Sequence, residues 1–224
     1  MDPLQHPVFQ QITKEEYEQM YACGCLWNQT YEKEEMIFRS GEQTKRFGIV
    51  LSGEIYIESS DLWGNRTILH QMESGGVFAE TYAFTNTPLM VDVIAMQKST
   101  VLFIDIGILL SPPYQDRSWY AKLIQSLLIL STNKNLAWSA RVLCICAKSI
   151  RSRVMTYLSA QAMQQGSMQI TIPFDRQQMA DYLNVERSAL SKELGKMQKE
   201  GILTFHKNQF YLHRLEKEQE TSCS

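Results

Sequence analysis

Four hydrogen-bonding side chains share one face of a segment that the sequence predicts to be a helix. They are Arg187, Ser188, Ser191 and Lys192. The opposite face carries apolar residues at helical spacing, namely Leu190, Leu194 and Met197. Arg, Lys and Ser donate hydrogen bonds to base edges in the major groove of DNA, and Arg can bind guanine through two bonds. The pattern therefore predicts a helix that reads DNA bases through this face.

Residues 174–197 predict the two helices and the turn that would position these side chains. Asp175, followed three residues later by Gln178, has the pattern of a capping box and starts a first helix. Asn184 falls where the chain must turn, and asparagine tolerates the left-handed backbone of such turns. An ordinary helical hairpin with a solvated outer face is the alternative interpretation of this segment alone.

The sequence around the helix pair adds a wing and a positive charge. Residues 202–205 and 209–212 are strand-like runs on either side of His206-Lys207-Asn208, which predicts a hairpin. Residues 148–214 contain ten Lys or Arg against five Asp or Glu, whereas residues 1–147 contain eleven against sixteen. A basic C-terminal third suits a polyanionic partner, because neutralised phosphates supply most non-specific DNA affinity.

Residues 31–105 have the pattern of a small all-β unit. Short apolar runs alternate with turn residues such as Ser40-Gly41-Glu42 and Ser52-Gly53, and residues 62–65 are expected at a hairpin tip. Many short strands at regular spacing predict a closed antiparallel barrel or roll.

Residues 116–149 contain neither Gly nor Pro and predict one long helix. Its apolar residues fall in two seams, which implies two neighbours, the protein's own barrel and a symmetry mate. Lys134 and Arg141 interrupt the first seam, so a continuous coiled coil does not follow, and a single buried helix in a monomer is the alternative. The seam assigned to a dimer interface consists of Tyr120, Leu123, Leu127, Leu130 and Ala137.

In this order, the roll, the long helix and the winged helix pair resemble the cyclic-AMP receptor protein and Fnr (Crp/Fnr) family of bacterial transcription regulators. Residues 38–42 and 50–54 are similar to the family's roll signature, and residues 176–194 to its helix-turn-helix. The resemblance implies an α+β fold with an N-terminal antiparallel double-stranded β-roll of the jelly-roll, cyclic-nucleotide-binding-like type. A long dimerisation helix and a C-terminal winged helix-turn-helix follow. The domains are expected at 1–115, 116–148 and 149–214, with a polar tail at 215–224.

The resemblance also implies a function, a homodimeric regulator that binds an inverted-repeat operator in double-stranded DNA and is not an enzyme. Arg187 matches the family's guanine-reading Arg, Ser188 stands where Glu is common, and Lys192 matches the next base-reading position. RNA polymerase is a further expected partner if the protein is an activator. The candidate phosphate contacts are Arg176, Gln177, Lys196 and Lys207.

The sensor half departs from the cyclic-nucleotide-binding members of the family. Those members hold the ribose through the Glu of a Gly-Glu pair and the phosphate through a following Arg and Ser. Here Ala79 precedes Glu80, no Arg occurs from residue 81 to 98, and Leu89-Met90 falls at the matching positions. A buried anion without a cationic partner costs several kcal/mol, so cyclic AMP or GMP is not expected.

Any effector of this roll is expected to be apolar or aromatic, although the same side chains would also fill a core that binds nothing. A roll that only scaffolds a constitutive DNA binder, or that binds a protein, is the alternative. The candidate effector-binding residues are Glu80, Met72, Phe78, Tyr82 and Met90.

The cysteines and histidines indicate no cofactor or metal. The Fnr branch holds an iron–sulfur cluster with four cysteines, whereas this chain has two near its N-terminus, Cys23 and Cys25, and none in the roll's middle. Zinc or a thiol switch using these and the second pair, Cys144 and Cys146, stays open, as does haem. A β-roll metalloenzyme needs two His and a carboxylate, and only His70 lies in the roll.

The overall composition bounds the class of protein. Hydrophobic residues make up 44% and charged residues 21% of the 224 residues, which is typical of a globular protein with a sizeable core. The sequence contains neither a leader-like segment nor a run of about 18 apolar residues. We therefore expect a cytoplasmic protein without a membrane partner.

Overall fold

The computed structural model describes residues 1–60 and 66–213, so the hairpin tip expected at 62–65 and the polar tail expected at 215–224 lie outside the described residues. The chain divides into two compact units, Met1–Ser131 and a second that begins at Thr132. None of the described helices combines the length and the apolar character that crossing a bilayer would require.

The described residues of the first unit form eight strands, β1 (Leu26–Tyr31), β2 (Met36–Phe38), β3 (Arg46–Ser52), β4 (Glu54–Ser60), β5 (Arg66–Glu73), β6 (Val77–Phe78), β7 (Asp92–Ala95) and β8 (Ser99–Asp105). They make two four-stranded antiparallel sheets, in the orders β1-β8-β3-β6 and β2-β7-β4-β5. The helices of this unit are α1 (Lys14–Ala22), α2 (Glu80–Thr85), α3 (Ile106–Leu109) and the first part of α4 (Ser118–Ile145). This is the predicted β-roll.

The inside of the roll is filled by aromatic rings. The Phe103 ring on β8 lies 5.9 Å from the Phe38 ring and 6.4 Å from the Phe78 ring, both at steep interplanar angles. Gly48 on β3 makes this packing possible, because a Cβ atom there would come within 2.8 Å of Val101 Cγ1 and also meet the Phe78 ring. The guanidinium of Arg46 covers this cluster, 4.9 Å from the centre of the Phe103 ring.

The first part of α4 belongs to a second core of the same unit. Leu123 and Leu127 are 0% and 5% exposed and pack with Trp119 and the N-terminal segment, while Tyr120 and Leu130 are half-buried against them. Leu123 and Leu127 are therefore covered by their own chain, and their assignment to a dimer interface is corrected. Ala137 is exposed.

A different face of α4 leaves apolar side chains in solvent. Ile129, Leu136 and Leu143 follow one another at intervals of seven residues, and Leu136 and Leu143 are each 69% exposed. Leu128 and Val142 are exposed beside them. The helix therefore has one apolar face in the core of the first unit and another in solvent, and Ile129, Leu136 and Leu143 are not among the residues assigned to the dimer interface from the sequence.

The second unit is a small helical domain with a three-stranded sheet in the order β10-β11-β9. Its elements after α4 are α5 (Ile150–Gln165), β9 (Gln169–Thr171), α6 (Arg176–Leu183), α7 (Arg187–Lys199), β10 (Leu203–His206) and β11 (Gln209–Leu212). Leu190, Leu194 and Met197 of α7 are fully buried against Met179 and Leu183 of α6. This arrangement is the predicted winged helix-turn-helix.

Candidate nucleic-acid interface

The outer face of α7 is exposed to solvent. Arg187, Ser188, Ser191, Lys192 and Lys196 are all exposed, whereas the inner face is fully buried. Every turn of this helix thus presents donors on one side and core residues on the other. A helix with this division can lie in the major groove without exposing its own core.

The start of α6 and the turn to α7 are fixed by local hydrogen bonds. The Asp175 carboxylate accepts from the Gln178 backbone N–H at 2.8 Å, and the Gln178 side chain accepts from the Asp175 N–H at 2.9 Å. Asn184 ends α6 in the left-handed region, with φ 52° and ψ 57°. The capping box and the turn residue expected from the sequence are therefore both present.

Arg176 is less available for a phosphate than the sequence suggests. Its half-buried guanidinium lies 5.0 Å from the centre of the Phe205 ring and donates to the Lys207 carbonyl at 3.3 Å. Burial, and then the neighbouring charge of Arg187, lowers the pKa of Arg176. This residue joins the first turn of α6 to the wing and extends the positive surface next to Arg187.

The wing presents Lys207 at its tip. Lys207 is exposed and takes φ 54° in the turn between β10 and β11. The adjacent Asn208 side chain donates to the Ile172 carbonyl at 3.0 Å, which ties the turn to the end of β9. Because the turn is anchored on both sides, the Lys207 ammonium extends from a fixed base.

The other two expected phosphate contacts differ in how free they are. Gln177 is exposed, but its side-chain amide donates to Asp181 Oδ1 at 2.8 Å. Lys196 is exposed on α7, with its ammonium 4.0 Å from the Glu193 carboxylate. Of the four residues expected to contact phosphates, Lys196 and Lys207 are therefore the two that are both positively charged and exposed.

Two arginines outside the helix pair hold the end of α6, and the sequence analysis did not assign them this role. Arg141 of α4 donates to the Tyr182 carbonyl at 3.1 Å and to the Asp181 carbonyl at 2.9 Å. Arg153 of α5 donates to the Leu183 and Asn184 carbonyls at 3.1 and 2.9 Å. Four C-terminal carbonyls of α6 and its turn are thus satisfied. The interruption of the apolar seam at Arg141 was the available signal.

A third arginine fixes α7 itself against α5. Arg151 Nε contacts Glu193 at 2.7 Å, and its two terminal nitrogens contact Glu200 at 2.7 and 3.0 Å. These charge-assisted bonds hold the C-terminal part of α7 from behind. The exposed donors therefore sit on a helix that is positioned by its core and by a charged contact.

The residues expected to bind an effector are only partly brought together. Phe78 is buried in the roll core, with Met72 and Tyr82 packed at its edge and Glu80 half-buried at the start of α2. Met90 is 76% exposed and does not belong to that core, so its assignment to an effector pocket stays a prediction. Leu89 points inward instead and is 2% exposed.

Ala79 has a left-handed backbone conformation, which is sterically unfavourable for a residue with a Cβ atom. It has φ 64° and ψ 5°, in the left-handed region, directly before α2. By its resemblance to the nucleotide-binding members of the family, Ala79 stands at the position of their Gly, and glycine adopts this region without strain. Leu89, at a position matched to the phosphate contacts of those relatives, is buried among apolar side chains of the roll.

The thiols and histidines form no evident metal centre. In the part of the chain that the structure describes, no group of three or more His, Cys, Asp or Glu side chains is placed to hold a metal ion. Cys23, Cys25, Cys144 and Cys146 are free thiols.

The comparisons with protein families match both halves of the chain. Residues 28–111 match the family model of the cyclic nucleotide-binding domain, and residues 152–217 match that of the Crp-like helix-turn-helix domain. Together these matches cover well over half of the chain. A search of curated proteins found no match.

Solved structures with this fold are similar to the chain over most of its length. CprK in complex with OCPA is 15% identical, with a TM-score of 0.60, covering 88% of this chain and 92% of CprK. The c-di-GMP responsive global regulator CLP of Xanthomonas campestris is 15% identical, with a TM-score of 0.51 and coverages of 87% and 97%. The catabolite activator protein of Thermus thermophilus is 17% identical, with a TM-score of 0.44 and coverages of 92% and 93%.

Proposed function

Because this chain belongs to the Crp/Fnr family of DNA-binding transcription regulators, which are not enzymes, we propose that it binds an inverted-repeat operator as a homodimer. An effector bound in the β-roll would shift the equilibrium between DNA-binding and non-binding arrangements of that dimer. The observation that carries the proposal is the division of α7 into a fully buried apolar face and an exposed face of Arg, Ser and Lys.

Base recognition is assigned to the first two turns of α7. Arg187 is the first helical residue and is exposed, so its guanidinium can reach a guanine edge through two hydrogen bonds. Lys192 lies one turn further along, and Ser188 and Ser191 are exposed beside them. Recognition-helix residues near the N-terminus are those that enter the groove in this motif.

Phosphate contacts are assigned to Lys196 and Lys207, with Gln177 as a neutral donor. Both lysines are exposed and lie on different elements, the recognition helix and the wing. Phosphate contacts fix the register of the protein on the duplex without specifying sequence. Arg176 is assigned to positioning the wing, because its guanidinium is engaged by Phe205 and the Lys207 carbonyl.

A symmetric dimer would pair through the exposed face of α4, which carries Ile129, Leu136 and Leu143. An apolar surface of this extent on a helix is typical of a protein–protein contact. Two-fold pairing would present two recognition helices to half-sites about 34–36 Å apart, one turn of DNA.

The effector is proposed to be neither cyclic AMP nor cyclic GMP. Residues 80–91 contain no Lys or Arg, and Leu89 is buried in the roll core. A phosphate placed there would lose its hydration without gaining a cation from this segment. Phe78, Met72, Tyr82 and Glu80 instead suggest an apolar or aromatic ligand with at most one polar group.

Binding-site selection on a random DNA library tests the DNA assignment. We expect wild-type protein to select an inverted repeat, and Arg187→Ala to lose preference at one base pair in each half-site, a discrimination of about 1–3 kcal/mol. Lys207→Gln should weaken binding to all DNA sequences alike. It should also reduce the slope of log affinity against log salt concentration by about 1 per lost phosphate contact. An unchanged preference in Arg187→Ala would refute the assignment of α7.

The effector hypothesis has its own test, which does not depend on the operator. Thermal unfolding of the purified protein should be unchanged by millimolar cyclic AMP or cyclic GMP, because neither nucleotide is expected to bind. DNA affinity should differ between protein in extract of its host and the same protein after extensive dialysis under reducing conditions. Equal affinities would instead favour a constitutive DNA binder with a scaffolding roll.

A further inference from the structure

Two thiols in the first unit lie in direct contact. Cys23 follows the last residue of α1, Cys25 precedes β1, and the Cys23 thiol donates to Cys25 Sγ at 3.1 Å. The Cys23 thiol also lies 3.3 Å from the Met20 carbonyl oxygen, an alternative acceptor within α1. The sulfur atoms are therefore held together by the backbone turn itself rather than by a distant contact.

The residue between the two cysteines lets the turn close. Gly24 takes φ 78°, in the region that only glycine adopts at no steric cost, and its N–H donates to the Tyr21 carbonyl at 3.0 Å. The Cys25 N–H donates to the Met20 carbonyl at 3.0 Å. A Cys-Gly-Cys segment in this conformation brings both side chains to the same side of the chain.

The two thiols differ sharply in their surroundings. Cys25 is fully buried with Met20, Leu26 and Ile104, whereas Cys23 is half-buried at the edge of the same core. Burial, followed by the neighbouring Cys23, raises the pKa of the Cys25 thiol. A small solvent-borne oxidant therefore reaches Cys23 and not Cys25.

We propose that Cys23 and Cys25 form a redox-active dithiol that a hydroperoxide converts to an intramolecular disulfide. This site lies outside the DNA interface and the effector core, and the proposal does not depend on the proposed function. Its substrate class is a small hydroperoxide, and a dithiol reductant would restore the two thiols.

The chemistry proceeds in two balanced steps. The Cys23 thiol releases its proton, its thiolate attacks the terminal oxygen of the peroxide, and the O–O bond breaks to give Cys23 sulfenic acid. The hydroxide or alkoxide that leaves takes up one proton and becomes water or an alcohol. Cys25 sulfur then attacks Cys23 sulfur, the S–O bond breaks, and water leaves with the Cys25 proton. The two thiols give up two electrons and the peroxide accepts them. The contact between the sulfurs favours the second step over attack by a second peroxide.

The other described thiols lack such a neighbour. Cys144 is buried in the core of the second unit, and Cys146 is exposed one residue after α4. Substitution of either one therefore provides a matched control, because it removes a thiol without touching the Cys23–Cys25 contact.

Mass spectrometry of the full-length protein after treatment with hydrogen peroxide tests the proposal. The protein is unfolded in an alkylating agent after oxidation and digested without reduction. We expect a peptide with an internal Cys23–Cys25 disulfide, 2 Da lighter than the dithiol form, and its loss on later reduction. The Cys144→Ser and Cys146→Ser variants should form it to the same extent as wild type.

Single substitutions assign the order of the two steps. Cys25→Ser should accumulate Cys23 sulfenic acid that is trapped by dimedone, whereas Cys23→Ser should leave Cys25 unmodified. If circular dichroism shows that Cys25→Ser does not fold, because a serine hydroxyl is buried there, Cys25→Ala replaces it in this experiment. The proposal is overturned if wild-type Cys23 and Cys25 both stay alkylatable, or if Cys23 proceeds to sulfinic acid without a disulfide.

Discussion

Ala79 lies between β6 and α2 with φ 64° and ψ 5°, in the left-handed region that favours glycine. A left-handed conformation costs an L-residue with a Cβ roughly 1–2 kcal/mol relative to the right-handed one. The surrounding turn nevertheless holds it there, since the Ala83 N–H donates to the Ala79 carbonyl at 2.9 Å as the first bond of α2. The strain is therefore local and removable.

Ala79→Gly is expected to stabilise the first unit by about 1 kcal/mol, because glycine occupies this backbone region without a steric penalty. Thermal unfolding would show an increase in Tm of about 2–4 °C for a protein of this size. The matched control is Ala83→Gly within the same helix, where the buried alanine has ordinary helical geometry and the change should lower Tm. If both substitutions destabilise alike, Ala79 is not strained.

The exposed face of α7, which we propose faces DNA, could be predicted from the sequence for a physical reason. Arg187, Ser191 and Lys192 share a face because a helix repeats every 3.6 residues, so their common exposure follows from local geometry. Arg176 was equally visible in the sequence, but its ring contact with Phe205 depends on how the wing folds back. Pairing across elements that are far apart in the chain carries no local periodicity, and this part of the site needed the structure.

The burial of α4 was likewise only partly predictable from the sequence. The sequence shows two apolar faces, but which of them meets the protein's own core depends on how α4 lies against the N-terminal segment. Leu123 and Leu127 are buried in that core, whereas Leu136 is exposed. The strand β1 was also missed, because its middle residues Asn28 and Gln29 are polar and break the apolar run that would mark a strand.

Helix α1 is attached to α4 by one buried carboxylate. Glu16 accepts from the Lys122 ammonium at 2.8 and 2.9 Å and from the Ser118 hydroxyl at 2.6 Å. It also closes the capping box of its own helix with Thr13. These contacts favour the charged form and outweigh burial of the carboxylate, which by itself would raise the pKa. The Lys122 and Ser118 bonds are the main cause that lowers the pKa of Glu16 to about 2.

Glu16→Gln should therefore reduce the free energy of unfolding at pH 7 by about 1–3 kcal/mol, the usual contribution of a hydrogen bond to a charged group. The folded-state pKa lies below the ordinary value of 4.5, so the contribution of Glu16 is full above pH 4.5. It is lost as the pH falls from 4.5 toward 2. Chemical unfolding of both proteins across this range measures the difference.

The control for this prediction is the exposed pair Glu32–Lys98, with an equally short contact of 2.7 Å. Both side chains are about two-thirds exposed, so Glu32→Gln should change stability little at any pH. A pH-independent difference between wild type and Glu16→Gln would show that the carboxylate charge does not act as described.

Arg141 connects the long helix to the helix-turn-helix through the carbonyl groups at the end of α6. Its guanidinium lies 5.7 Å from the centre of the Tyr182 ring and 5.6 Å from that of Trp138, so it is stacked as well as hydrogen-bonded. A cation at a helix C-terminus is also favoured by the helix dipole. Because α6 packs on α7, this contact helps to set the position of the recognition helix.

Arg141→Lys is expected to destabilise the second unit by about 1–2 kcal/mol, because lysine keeps the charge but loses the planar pair of donors. DNA affinity should fall while the selected operator sequence stays the same, since no base-reading residue has changed. Urea unfolding and fluorescence anisotropy measure the two effects. Arg39→Lys, a change of the same type at an exposed position in the roll, is the control and should alter neither. A changed operator preference would contradict the positioning role.

The distribution of charge and apolar surface over the chain distinguishes its two halves. Residues 1–147 carry a net charge of −5 and residues 148–214 a net charge of +5, so attraction to a polyanion is concentrated in the second unit. The long helix α4 adds a different kind of surface, because several of its apolar side chains are exposed. Neither DNA nor water compensates for an exposed apolar surface of this kind, which is why we propose that a second copy of the same helix covers it.

Leu136→Glu is therefore expected to convert a dimer into a monomer at micromolar concentration. Leu136 lies midway between Ile129 and Leu143 on the exposed face, and a two-fold axis near it would bring the two glutamates into an apolar contact. Burying two like charges without partners costs several kcal/mol, enough to shift the dissociation constant by more than a hundredfold. Sedimentation velocity of both proteins over a range of concentrations measures this shift.

Met163→Glu provides the matched control, because Met163 is 84% exposed on α5 and lies outside the exposed face of α4. It should leave the dimer intact. The monomeric Leu136→Glu protein should also lose the advantage of a two-half-site operator over a single half-site, since each recognition helix would then bind alone. If wild type sediments as a monomer, or Leu136→Glu stays dimeric, the symmetric pairing of α4 is wrong. The inverted-repeat operator would then need another source of symmetry.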